Sequence, residues 1–65
     1  MIAIHSVVRL TVDLAELALE RGALGTVLVV FTEPSLAYEV EFVDALGRTR
    51  AQQPLRPDQI EAVEP

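Results

Sequence analysis

Residues 37–52 read AYEVEFVDALGRTRAQ, and the fold is decided by how this stretch is paired. Tyr38, Val40 and Phe42 alternate with Glu39 and Glu41, the period-two pattern of a half-buried antiparallel strand. Asp44 to Gly47 predicts a four-residue hairpin loop, with glycine where a positive φ is needed. Arg48 to Gln53 then returns as the partner strand and Pro54 ends it. Counted through that loop, Val43 faces Arg48, Glu41 faces Arg50 and Glu39 faces Gln52. A cross-strand pair such as Glu41 with Arg50 contributes a few tenths to about 1 kcal/mol.

The same stretch poses a question of chemistry. Glu39 and Glu41 sit on one face of a strand, roughly 6.5 to 7 Å apart, a spacing that paired catalytic carboxylates also use. A neighbouring arginine holds a carboxyl ionised, which is wrong for a general acid, and a sheet face offers no cleft. The two glutamates are therefore expected to be the wet side of a hairpin.

Working outward, GTVLVVFT at 25–32 is the strongest strand signal, and Glu33-Pro34-Ser35 is a turn. SVVRLT at 6–11 predicts a first strand. Asp13 and Glu16 have capping-box spacing, so one or two helical turns are expected before Gly22 stops them. Pro57 to Ile60 predicts a tight turn, and Glu61 to Val63 a short closing strand. The prediction is one all-β domain over 1–65: a closed or nearly closed five-stranded barrel of the SH3-like plan, with edges removed by closure.

Composition narrows the function. Ten acidic residues against five arginines and no lysine give a net charge of −5, which disfavours phosphate backbones and anionic membranes. Without cysteine there is no disulfide, thiolate nucleophile or Cys-based zinc site, and the single His5 cannot complete one. Ser6 and Ser35 lack a nucleophile-elbow context, and Gly22 with Gly25 lacks the lysine and helix of a phosphate loop. The glycines serve a turn and a close backbone approach. No cofactor, metal or small-molecule substrate is implied. The N-terminus lacks the pattern of a signal peptide and Val27–Phe31 is too short to span a bilayer, so a cytoplasmic location is expected.

Leu19 to Val27 (LERGALGTV), YEVEF at 38–42, Gly47 and LRPDQI at 55–60 together resemble a small bacterial family defined as a domain of unknown function. The G-x-x-G-x-V element also resembles the KOW-type start of SH3-like barrels in ribosomal and transcription proteins. The family resemblance implies an SH3-like barrel. It further implies a dedicated partner encoded nearby, such as a toxin that an acidic antitoxin-like chain would neutralise.

One anomaly points to a surface. All five residues of Val27–Phe31 are apolar, although a strand in a small barrel buries only one face. Strict alternation sends Val27, Val29 and Phe31 inward and Leu28 and Val30 outward. A bulge after Val27 would swap the later residues. The outward side chains are covered either by the 12–19 loop or by a partner, because contiguous exposed apolar patches mark interaction sites. Leu28 and Val30, with Arg48 and Arg50 of the only basic cluster, are thus the expected partner-binding residues. The expected function is a non-enzymatic protein-binding or self-associating module, with a KOW-like RNA- or ribosome-associated module as the alternative.

Overall fold

In the computed structural model, which describes residues 1–63, five strands form one antiparallel sheet. They are β1 (Val7–Leu10), β2 (Leu24–Phe31), β3 (Ala37–Val43), β4 (Thr49–Leu55) and β5 (Ile60–Ala62). The order across the sheet is β4-β3-β2-β1-β5, so β4 and β5 are its edges and no ladder joins them. The sheet is open, and the expected barrel closure is absent.

Alternation explains the core. Val8 and Leu10 of β1, Val27 of β2, Tyr38, Val40 and Phe42 of β3, Leu55 of β4 and Ile60 of β5 are buried on one face. Leu14 and Leu19 join them from the loop between β1 and β2. That loop is not the capped helix its sequence suggests. A 3-10 turn spans only Ala15–Leu17, and Leu14 exchanges backbone hydrogen bonds with Leu19 at 2.8 and 3.2 Å. Ala18, with φ 56°, ends the turn in the left-handed region. Asp13 instead accepts from the Arg21 N–H at 2.8 Å, tying the loop's two ends together. The capping-box spacing of Asp13 and Glu16 therefore caps no helix, and the Asp13 carboxylate serves the Arg21 N–H instead.

Gly25 is buried against β3. A Cβ there would lie 2.6 Å from Val40 Cγ1, 2.9 Å from Phe42 Cε1 and 3.0 Å from the Glu41 carbonyl oxygen. The absent side chain lets the β2 backbone rest directly on the core. Two residues further on, the β2–β3 register breaks: Val27 faces Val40 but Val29 faces Glu39, leaving Leu28 as the extra residue of a bulge. Pro54 lies inside β4 rather than ending it. Only an edge strand tolerates a residue without an N–H in this way.

The segment before β1 also contributes. His5 N–H donates to the Val27 carbonyl and Val27 N–H to the Ser6 carbonyl. His5, with φ 72°, then reverses the chain in a turn closed by Ser6 N–H on the Ala3 carbonyl. Ile2 packs against the core, and its N–H donates to the Tyr38 hydroxyl at 2.9 Å. Among the described residues no helix is long and apolar enough to cross a membrane.

Replacing Gly25 by alanine should destabilise the domain by about 1 to 3 kcal/mol, because the new methyl overpacks a contact made partly by backbone. Phe42→Ala should cost more, roughly 3 to 5 kcal/mol, enough to unfold so small a domain. Urea denaturation followed by circular dichroism measures both. A silent Gly25→Ala would mean that β2 can lift off β3 freely.

Candidate functional site

The hairpin that carries the carboxylates differs in register from its sequence reading, in two compensating steps. Asp44 N–H bonds the Arg48 carbonyl, so the loop proper is Ala45–Gly47, one residue shorter than expected. A bulge then inserts Arg50, since Val43 faces Thr49 while Phe42 faces Ala51. The two single-residue changes add to an even shift, so each face keeps its residues. Glu41 therefore stays outward but faces Gln52, and Glu39 faces Pro54. The expected Glu41–Arg50 and Val43–Arg48 pairs do not form.

Neutral donors serve the two glutamates instead. Thr49 Oγ1 donates to Glu41 Oε2 at 2.7 Å, and Gln52 Nε2 to Glu39 Oε2 at 3.0 Å. Both contacts lie on an open sheet surface, and no cavity or cluster of potential metal ligands occurs among the described residues. The two carboxylates thus face solvent, and among the described residues neither is in an ion pair.

The arginines are dispersed rather than clustered. Arg48 Nε pairs with Asp44 Oδ2 at 3.0 Å, Arg56 Nε with Asp58 Oδ1 at 3.1 Å, and Arg9 Nε with Glu61 Oε2 at 3.7 Å. Arg50, the bulge residue, crosses to the 12–21 loop, where its Nη2 donates to the Ala18 carbonyl at 2.9 Å. Two of the expected partner-binding residues, Arg48 and Arg50, are therefore engaged within the chain. His5 lies in the turn before β1 and belongs to no cluster of potential metal ligands among the described residues.

The apolar surface lies where the bulge puts it. Past Leu28 the alternation of β2 inverts, as the bulged reading of this strand requires. Val30 packs against the core, which corrects the expectation that it points outward, and Leu28 is half-buried. Val29 and Phe31 are the side chains turned out, 42% and 39% exposed. Both lie beside β3, with Val29 opposite Glu39 and Phe31 opposite Ala37. Leu24 and Thr26 extend the same face toward Val7, which faces Thr26 on β1. The result is an apolar stripe along β2 flanked by the glutamates of β3. Strict alternation misses Val29 and Phe31. The unbroken apolar run, with a bulge after Val27, is the sequence signal that could have found them.

Asp44 has a clearly shifted carboxylate pKa. Its side chain accepts from the Arg48 backbone N–H at 2.9 Å, the Leu46 N–H at 2.8 Å and the Arg48 guanidinium at 3.0 Å. The Arg48 backbone bond is the largest cause of a pKa held below the ordinary aspartate value. Partial desolvation opposes it, and the Leu46 bond, the Arg48 side chain and the Arg50 charge reinforce it. A depressed folded-state pKa stabilises the fold above the unfolded value, and that contribution is lost as pH falls through the folded value. Asp44→Ala should therefore lower the denaturation midpoint at neutral pH, and its gap from the parent should narrow in acid below the ordinary aspartate range. A gap that stays constant with pH would show that the ionised carboxylate contributes nothing beyond its neutral form.

Comparison with curated proteins and with solved structures gave no match. A family profile does match, over residues 4–62, which takes in every strand, the Asp44 hairpin and the apolar stripe. By that span, the chain belongs to the family described as Domain of unknown function (DUF4926).

Proposed function

We infer that this chain is a non-enzymatic protein-binding module, the acidic, antitoxin-like partner of a second small protein with a basic surface. The observation that carries this reading is the outward turn of Val29 and Phe31 beside Glu39, made by the bulge at Leu28. Apolar side chains exposed together on a sheet face mark interaction surfaces. Carboxylates hydrogen-bonded only to neutral groups keep their charge available to a cationic partner. An SH3-like plan is supported by the strand order, by the kink in β2 and by the 3-10 turn Pro57–Gln59 that leads into β5. In that plan β2 is shared between two halves of the sheet, as its pairing with β1 and β3 allows.

Affinity capture from the native host provides the test. Val29→Ser with Phe31→Ser should abolish recovery of the partner, since apolar anchors at an interface commonly contribute about 2 kcal/mol or more. Exposed positions tolerate such changes, so the thermal midpoint should move little. Retention of the same partner by the double variant would remove this face from the interaction. The protein-binding reading also predicts little affinity for RNA. With four of its five arginines, Arg9, Arg48, Arg50 and Arg56, engaged by Glu61, Asp44, the Ala18 carbonyl and Asp58, the chain should bind generic RNA weakly and lose it at moderate salt. Submicromolar affinity in a gel-shift titration at near-physiological salt would favour the RNA reading.

A further inference from the structure

The free edges of this sheet are not treated alike. β4 carries Pro54, a bulge and Arg50, which reaches across to Ala18. β5 is three residues long and presents Glu61. Prolines, bulges, charges and short lengths are the devices that keep an edge from pairing with another chain. A third edge lies within the sheet. β1 pairs with β2 only as far as Val7 opposite Thr26, and the His5 and Ser6 backbone bonds carry contact one residue further, to Val27. There the turn at Ala3–Ser6 takes the chain away toward Tyr38. From Leu28 to Phe31, β2 therefore has β3 on one side and no backbone partner on the other among the described residues.

This edge has no proline and no charge. It is β-branched or aromatic at three of its four positions, Val29, Val30 and Phe31, a composition suited to strand pairing. We propose that Leu28–Phe31 accepts an extended segment of a partner protein as an added strand, the segment alternating apolar with basic side chains. Main-chain hydrogen bonds to the open edge would hold it, as in other strand-addition complexes. Its basic side chains, all on the outer face, would lay their aliphatic stems over Val29 and Phe31 and carry charge toward Glu39, directly opposite Val29, while its apolar side chains extend the inner face beside Val30. A second copy fits the shape of the edge but not its charge, because each copy brings a net −5 and the same glutamates. The proposal rests on the protein-binding reading and specifies its mode and chemistry.

The test uses the full chain, isotopically labelled, and three synthetic peptides: alternating valine and lysine, alternating valine and glutamate, and the lysine peptide N-methylated at alternate residues. The lysine peptide should shift and slow amide exchange across Leu28–Phe31 in a saturable way. The glutamate peptide should bind about tenfold or more weakly, and N-methylation should abolish binding by removing main-chain donors. Glu39→Gln should narrow the difference between the charged peptides while leaving the fold intact.

Equal binding of the N-methylated peptide would overturn strand addition, as would protection confined to β4 or β5. No binding at millimolar peptide would also overturn it. Protection of Leu28–Phe31 in the free chain, with a dimer in sedimentation, would assign the edge to a second copy and reject the basic segment. Capture of the cellular partner with the Val29 and Phe31 variants stands apart from these outcomes. If capture still depends on those side chains while the peptides fail, the face binds and the edge does not.

Discussion

The close approach of Gly25 to Val40 and Phe42 is the contact on which the rest of the sheet depends. A Cβ on Gly25 would lie 2.6 Å from Val40 Cγ1, which leaves no room for a side chain, so the β2 backbone itself forms part of the core wall. A strand that rests so tightly on its neighbour can bend across the core instead of lying flat over it. The bulge at Leu28 completes the bend by breaking the register with β3. With β2 bent, its first half pairs with β1 and its second half runs on beyond β1. Ten buried side chains drawn from all five strands and one loop then suffice as a core for a chain of this length.

A second constraint acts at the other end of β3. The Asp44 carboxylate collects the Leu46 and Arg48 N–H groups, which sets the length of the hairpin loop. A loop one residue shorter would have turned the whole of β4 over and put its polar residues into the core. The bulge at Arg50 restores the parity, keeping Leu55 buried and Gln52 outside. It also aims Arg50 out of the ladder toward the Ala18 carbonyl, fastening β4 to the loop that carries Leu14 and Leu19. Loop chemistry, strand register and the cover over the core are thus consequences of one another.

What could be read from the sequence follows from the range of the interactions involved. Burial of Tyr38, Val40 and Phe42, the positive φ of Gly47 and the tight turn at Pro57 depend on neighbours in the chain, and all were legible. Asp13 was misread because its carboxylate can serve a capping box or a distant N–H with equal chemistry, and tertiary closure of the loop at Arg21 selects the second. The role of Arg50 depends on a bulge and on a carbonyl 32 residues away. Val30 was expected outside with Leu28, and the parity change within β2 turns Val30 onto the core and Val29 and Phe31 outward. Openness of the sheet was the least visible feature, since it depends on which strands fail to meet.

The charge balance and the apolar stripe belong to one physical account. A β-branched run with a free edge invites pairing with an identical run, the usual route to aggregation. Here every copy carries five excess negative charges, and the carboxylates nearest the stripe have only neutral partners. Repulsion between copies therefore opposes the association that apolar burial would favour, and salt weakens that repulsion over about 8 to 10 Å. The same field attracts a cationic chain to the same place, raising its rate of encounter. An edge left without proline or charge is tolerable on such a molecule because the surrounding acidity performs the discrimination that those devices perform elsewhere.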